Sequence, residues 1–172
     1  MNAIILFYLS GMPVSNSRSP LRINTGFLLN TPIGTYRDIN FEIPQLQLKT
    51  DFTLENFKGV VRINRTPQGM LVEGNFSGDV ATECVRCLEI YQQGTHIEFK
   101  ELFAFRKDQI TDSGLRVPED GNIDIAPLVY EYALIDFPIK PLCRPDCKGL
   151  CTICGANLNE APCEHQKRVL EE

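Results

Sequence analysis

The cysteines are the residues of this sequence whose type and spacing suggest chemistry. Cys84 and Cys87 lie in ECVRC, and the other five lie in the stretch CRPDCKGLCTICGANLNEAPCEH, which begins at Cys143 and ends at His165. Thiolate and imidazole are ligands that Zn²⁺ prefers, and a C-x2-C turn presents two sulfurs to one ion. The sequence therefore predicts a zinc-binding protein in which distant parts of the chain share an ion.

The spacing permits two groupings of the seven thiols and one imidazole. The first grouping has two four-ligand sites, one made of Cys84, Cys87, Cys143 and Cys147 and the other of Cys151, Cys154, Cys163 and His165. The second grouping has one local site, made of Cys143, Cys147, Cys151 and Cys154, and leaves the other groups free or weakly engaged. We favour the first grouping because it leaves no C-x2-C pair unused.

The ligand set argues against catalysis. Catalytic zinc keeps an open position with a bound water, usually among His or carboxylate ligands. Thiolates dominate here, and their negative charge would activate such a water poorly. Outside the tail, His96 is the single histidine, and no glycine-rich phosphate loop accompanies it. We therefore expect structural zinc, no enzyme activity and no small-molecule substrate.

Length and composition indicate an ordinary globular protein. With 172 residues, 43% of them hydrophobic, the chain can bury a core of its own. An odd number of cysteines in C-x2-C pairs is typical of metal-bound thiolates in a reducing cytoplasm rather than of disulfides. The apolar run 3–9 is too short to span a bilayer, and no Lys or Arg precedes it. We expect residues 1–19 to be a disordered or non-native leader, with no role at a membrane.

The sequence predicts that the elements that position the cysteines are mainly β-strands. From Leu71 to Glu83 apolar and small residues alternate with polar ones, and this strand runs directly into Cys84. A second strand follows, with Ile97 and Phe99 on one face, so the first C-x2-C lies at the tip of a long hairpin. Glu101 interrupts the apolar face of the second strand, which suggests a sheet edge.

The remaining chain predicts shorter elements. We expect a first strand at RINTGFLL and a short second strand at INFEIP. A half-buried strand is predicted at QLQLKTDFTLEN, where the alternation of apolar and polar residues slips once. A helix is expected near residues 125–137, with Asp124 as its N-cap. The fold class predicted is α+β, mainly β: an antiparallel body over 20–137 and a zinc-binding tail over 138–172 that packs on it.

The net charge and the local basic residues point in opposite directions on nucleic-acid binding. The net charge of −5 argues against a generic nucleic-acid-coating surface. Yet Arg86, Arg144 and Lys148 lie among the cysteines, and zinc knuckles are among the modules that bind RNA. Because zinc-bound thiolates would offset this positive charge, the sequence is equally consistent with a patch that contacts RNA and with ordinary surface charge.

The combination of motifs resembles a known family. Over about residues 21–165 the chain resembles the YceD family, whose members are large ribosomal RNA subunit accumulation proteins. The resemblance lies in RINTGFLLNTPIGTYRDINFEIP, in CVRCL at 84–88 and in CKGLCTICGANLNEAPC at 147–163. The resemblance implies a role in maintaining or processing 23S ribosomal RNA precursor and implies no catalytic activity. One departure is His165, where relatives often have a cysteine.

The sequence thus predicts a non-enzymatic, cytoplasmic ribosome-biogenesis factor with one or two structural zinc ions. Its expected partner is the large-subunit rRNA precursor or a large-subunit ribosomal or processing protein, and the negative net charge favours the protein. Two alternatives are a zinc-stabilised interaction adaptor unrelated to ribosomes and a thiol redox protein that uses Cys84 and Cys87.

Overall fold

A four-stranded antiparallel sheet forms the centre of the molecule. The computed structural model describes residues 19–165, and in this part of the chain no helix is long and apolar enough to cross a membrane. The sheet is a meander of neighbouring strands: β2 (Tyr36–Lys49), β3 (Phe52–Arg65), β4 (Gly69–Glu83) and β5 (Ile90–Ala104). A smaller two-stranded sheet pairs β1 (Arg22–Asn24) with β6 (Asn122–Asp124).

Between residues 19 and 165 the helices are few. They are α1 (Gly26–Leu29), a 3₁₀ turn at Lys107–Gln109 and α2 (Ala126–Asp136). The predicted class, mainly antiparallel β with a cysteine-rich C-terminal cluster, is confirmed. The leader predicted for residues 1–19 falls outside the described residues except for Ser19, and the division into body and tail stays a prediction.

Phenylalanine rings fill the core face of the sheet, as the alternation in β4 predicts. Val72, Gly74, Phe76, Gly78 and Val80 are buried, while the residues that alternate with them are half-buried or exposed. The Phe76 ring lies 5.0 Å from Phe57 and 6.1 Å from Phe99, centroid to centroid. Burial of such rings is the main stabilising contribution of a small core that lacks Trp.

Helix α2 covers the core face near the β5 edge. Its buried residues are Leu128, Val129 and Ala133. The Tyr132 hydroxyl donates a 2.8 Å hydrogen bond to Glu101 Oε1. This contact explains how a carboxylate is tolerated on the apolar face of β5, which is an edge strand as the sequence indicated.

Several element boundaries predicted from the sequence are wrong. RINTGFLL is not one strand, because the chain turns after Asn24, whose Oδ1 accepts from the Gly26 amide at 3.0 Å, and then forms α1. The short strand INFEIP is the middle of the longer β2. The slip in QLQLKTDFTLEN is a hairpin turn at 50–51, so Leu46 and Leu54 lie opposite each other on β2 and β3.

The predicted N-cap of α2 is displaced by one position. The cap residue is Ile125, since Asp124 belongs to β6. The Asp124 carboxylate nevertheless accepts a 3.0 Å hydrogen bond from the Ala126 amide, so it still satisfies one of the free N–H groups at the start of the helix.

Candidate metal centre

The first C-x2-C forms the closing turn of the β4–β5 hairpin. The strands pair in continuous register from Gly69–Ala104 to Glu83–Ile90, which leaves 84–89 to connect them. The Cys84 amide donates to the Glu89 carbonyl and the Leu88 amide to the Cys84 carbonyl, both at 2.9 Å. Cys84 and Cys87 are both buried in this turn, so the predicted hairpin and its tip are confirmed.

The tail binds this turn through backbone hydrogen bonds. The Val85 amide donates to the Pro141 carbonyl at 3.0 Å, and the Leu150 amide donates to the Arg86 carbonyl at 3.1 Å. Gly149 lies directly against the turn with φ +76°, and a Cβ there would be 2.9 Å from the Arg86 carbonyl oxygen. This close approach brings Cys143 and Cys147 to the hairpin tip.

Four sulfurs meet at this contact. We call Cys84, Cys87, Cys143 and Cys147 the hairpin cluster; their sulfurs all lie within 4.8 Å of one another. The Cys84–Cys147 and Cys87–Cys143 sulfur distances are 3.8 and 3.6 Å. Four sulfurs bound tetrahedrally to zinc at about 2.3 Å would be about 3.8 Å apart, whereas a disulfide requires about 2.05 Å. The cluster therefore has the dimensions of a metal site, not of two disulfides.

A second group lies wholly in the tail. We call Cys151, Cys154, Cys163 and His165 the tail cluster; their ligand atoms also lie within 4.8 Å of one another. Its turn is closed by a 2.8 Å hydrogen bond from the Gly155 amide to the Cys151 carbonyl, with Gly155 at φ +73°. His165 Nδ1 is buried and has no hydrogen-bond partner among the described residues. A bound cation would satisfy this nitrogen, so this donor set also fits a metal ion.

The two clusters differ in exposure. In the hairpin cluster three of the four cysteines are buried, with Cys84 at 0% exposure. In the tail cluster Cys154 is exposed, and Cys151, Cys163 and His165 are half-buried. Both clusters could hold a metal ion, and the hairpin cluster is the more shielded from solvent.

The electrostatics of the hairpin cluster also favour a cation. Burial raises the pKa of Cys84, but hydrogen bonds from backbone groups at Cys143, Cys87 and Arg86 outweigh it and bring the pKa to about 6. A backbone hydrogen bond at Glu89 lowers the pKa of Cys87, but burial and the neighbouring thiols together raise it to about 12. Cys84 therefore ionises readily, whereas ionisation of Cys87 is unfavourable because it would place a second negative charge next to the first.

The tail cluster repeats this pattern. Backbone hydrogen bonds at Cys154 and Ile153 bring the pKa of Cys151 to about 6. The backbone at Ala156 lowers the pKa of Cys154, but the adjacent Cys151 sulfur and partial burial raise it overall. A divalent cation would supply the positive charge that lets all the thiols of a cluster ionise together.

Of the three basic residues predicted to contact RNA, two interact within the protein. Arg86 donates from Nη1 to the Cys147 carbonyl at 2.8 Å, and so holds the tail on the hairpin. Arg144 lies 3.6 Å from the Asp146 carboxylate. Lys148 is exposed. Contact of any of them with RNA stays a prediction.

Sequence reasoning missed the polar residues that surround the cysteines. Asn159 Nδ2 donates to the Cys147 sulfur at 3.4 Å, and Asn157 Nδ2 donates to Glu89 Oε1 at 2.8 Å. The only signal was the Asn-Leu-Asn stretch inside the tail motif. Hydrogen bonds of this kind orient metal ligands and tune their basicity.

Comparisons with known proteins identify relatives of this chain. An uncharacterized protein of Mycobacterium tuberculosis is 31% identical over 114 residues, which cover 63% of this chain and 55% of that protein. YlbN of Bacillus subtilis, also uncharacterized, is 35% identical over 71 residues, 41% of each chain. A maize chloroplast protein, large ribosomal RNA subunit accumulation protein YCED homolog 1, is 41% identical over 49 residues, 28% of this chain and 17% of that protein.

These matches cover only part of the relatives. The chain spans about half the length of the mycobacterial proteins, 55% for the one above, and no solved structure matches it. The family described as large ribosomal RNA subunit accumulation protein YceD matches residues 72–172, more than half of the chain, including every member of both clusters. The resemblance in the cysteine motifs is thereby confirmed, and the chain belongs to the YceD family.

Proposed function

We propose that this chain is a non-enzymatic, cytoplasmic factor of ribosome biogenesis that supports the accumulation or processing of 23S ribosomal RNA. Membership of the YceD family carries this proposal, since the family is named for large ribosomal RNA subunit accumulation. The plant homologues in maize and Arabidopsis carry the same name.

We propose further that each cluster binds one structural Zn²⁺. Sulfur and imidazole donors in tetrahedral dimensions are the set that zinc prefers, and a Cys₃His or Cys₄ site leaves no position for a substrate. When bound, the metal supplies a cross-link and neutralises thiolate charge. At the hairpin cluster this cross-link joins the tip of β4–β5 to the tail, residues more than fifty positions apart in sequence.

The direct partner that the surface charges support is a protein rather than the rRNA precursor. On the outer face of the sheet Arg62 makes a bidentate ion pair with Asp38, both bonds at 2.7 Å, and Lys100 Nζ lies 2.7 Å from Glu73. Cations paired in this way are less available to phosphates. Around the cysteines, Leu88, Ile90 and Ile153 are more than half exposed, which favours contact with a large-subunit ribosomal or processing protein.

Burial argues against the thiol redox alternative. Thiol–disulfide exchange needs a thiolate that a partner can reach. Cys84 and Cys87 are 0% and 4% exposed, so neither sulfur is accessible while the tail is bound. An adaptor unrelated to ribosomes has no observation in its favour beyond the cysteine clusters themselves.

Depletion and complementation test the proposed function. In cells depleted of this protein we expect less mature 23S rRNA and more precursor, measured by northern blot against 16S rRNA. The wild-type gene and Asn75→Asp, a change on the exposed face of β4, should restore 23S rRNA, whereas Cys84→Ser with Cys147→Ser should not. Normal 23S levels in depleted cells would refute the proposed role, and rescue by the double cysteine variant would refute the need for the metal.

Charge reversal separates the two classes of partner. If the partner is a protein bound through apolar residues, Arg144→Glu with Lys148→Glu should still restore 23S rRNA and the protein should give no rRNA crosslinks. Crosslinking of 23S precursor that these two changes abolish would show instead that the basic residues contact RNA, and purified protein would then lose part of its salt-dependent binding.

A further inference from the structure

The Asn159 side chain donates directly to a sulfur of the hairpin cluster. Its Nδ2 donates to the Cys147 sulfur at 3.4 Å and to Asn157 Oδ1 at 2.9 Å. Its Oδ1 accepts from the Lys148 amide at 2.8 Å. Both N–H groups and the carbonyl of the amide are therefore engaged.

These contacts fix which way the amide faces. The Lys148 N–H can only donate, so it must meet the amide oxygen, and the amide nitrogen then points to the sulfur. A donor is what a metal-bound thiolate requires, since a hydrogen bond to sulfur disperses its negative charge. The group that faces Cys147 is thus complementary to a thiolate.

The loop that carries Asn159 is closed by the tail cluster. Cys154 and Cys163 stand on either side of it in sequence, and both belong to that cluster. Within the loop, the Leu158 amide donates to the Gly149 carbonyl at 2.9 Å. A metal bound in the tail cluster ties the two ends of this loop together, which reduces the entropy lost when the loop packs against Gly149.

The same loop reaches the other side of the hairpin cluster. Asn157 Nδ2 donates to Glu89 Oε1 at 2.8 Å, and the other oxygen of that carboxylate lies 3.7 Å from the Cys87 sulfur. One hydrogen-bonded chain therefore runs from Cys147, a tail residue, through Asn159 and Asn157 to the hairpin turn.

Resting on the metal binding proposed above, we propose that Asn159 is a positioning residue for the hairpin cluster and that it couples the two clusters. Metal in the tail cluster holds Asn159 against Cys147, and the hairpin cluster then binds its own metal more tightly. By linkage the effect is reciprocal.

The first test replaces the donor and keeps the acceptor. Asn159→Asp retains an oxygen for the Lys148 amide but sets a carboxylate against the sulfur. We expect the affinity of the hairpin cluster for Cd²⁺ to fall about 10–100-fold, the usual effect of losing such a contact. Asn75→Asp, on the exposed face of β4, makes the same charge change and should leave the affinity unchanged.

Cadmium NMR during chelator competition measures this affinity in the full chain. Cadmium bound by four sulfurs and cadmium bound by three sulfurs and a nitrogen give separate resonances, so each cluster is followed by itself. Should Asn159→Asp fail to fold by circular dichroism, Asn159→Ala, which adds no charge, takes its place.

A double-mutant cycle tests the coupling. Cys154→Ser removes an exposed ligand of the tail cluster and should weaken Cd²⁺ binding at the hairpin cluster in the wild-type background. In the Asn159→Asp background the same change should have little further effect, because the connection is already broken. Equal effects in both backgrounds would refute the coupling through Asn159.

Stoichiometry separates the possible failures. Two Cd²⁺ per chain with an unchanged hairpin affinity in Asn159→Asp would overturn the role of Asn159 and leave the proposed metal sites intact. No bound Cd²⁺ in the wild-type chain would overturn both. A loss of 23S rRNA in depleted cells bears only on the proposed function.

Discussion

Gly149 offers a direct test of how tightly the tail binds the hairpin turn. Its φ of +76° is unfavourable for any residue with a Cβ, and an added Cβ would lie 2.9 Å from the Arg86 carbonyl oxygen, a backbone atom that cannot move aside alone. Gly149→Ala therefore introduces backbone strain and also separates the tail from the turn.

The expected magnitude follows from these two contributions. The left-handed conformation costs about 1–2 kcal/mol for alanine. Relieving the contact lengthens the hydrogen bond from Leu150 to the Arg86 carbonyl, now 3.1 Å, which contributes about 0.5–1.5 kcal/mol. We expect Gly149→Ala to lower the free energy of unfolding by about 1.5–3.5 kcal/mol in total.

Two glycines in the same chain serve as controls. Gly155 and Gly114 have φ of +73° and +70°, and a Cβ at either would meet no atom within 4 Å. Their alanine variants should lose only the conformational contribution, about 1–2 kcal/mol. Gly155 also lies in the tail beside Cys154, so it controls for a general disturbance of the tail.

Urea unfolding of the metal-loaded protein measures the three variants under one condition. A metal-retention assay against a chelator should show that Gly149→Ala releases metal from the hairpin cluster faster than Gly114→Ala, which lies outside the tail. If Gly149→Ala were no less stable than Gly155→Ala, the close packing of tail and turn would not contribute to stability, and the reasoning above would be wrong.

Two further predictions concern the body of the protein. Phe76→Ala, at a ring 1% exposed and stacked on Phe57, should lower the free energy of unfolding by about 3–5 kcal/mol, whereas Val60→Ala, 36% exposed, should change it by less than about 1 kcal/mol in the same urea titration. Hydrogen bonds from Arg62 hold the pKa of Asp38 below its usual value, so this pair stabilises the fold above the unfolded pKa of about 3.9 and loses that effect as the pH falls. Asp38→Asn should therefore reduce the drop in Tm between about pH 6 and pH 3, and an identical drop in both proteins would contradict it.

The fold was predictable where one face of a strand is buried. The alternation in β4 and the phenylalanines of β5 reproduce the burial of both strands, because side chains alternate between the faces of a sheet. Prediction failed where the pattern is weaker. The turn at 50–51 contains neither glycine nor proline, so the reversal between Leu46 and Leu54 appeared as an irregular strand. GFLL is apolar like a strand, and its short helix depends on local hydrogen bonds that periodicity does not report.

The sequence by itself identified the candidate metal ligands of this protein and its family. Ligand type and C-x2-C spacing are local properties, so seven cysteines and His165 were enough to predict metal binding, and the motifs around them were enough to identify the family. Only the tertiary structure decided between the two groupings of these eight residues. The hairpin brings Cys84 to within 3.8 Å of Cys147, and Asn159 donates to that sulfur, because β4 and β5 pair in one register and the tail packs on their turn. Contacts between residues so far apart in sequence depend on strand register and packing, which local spacing does not encode.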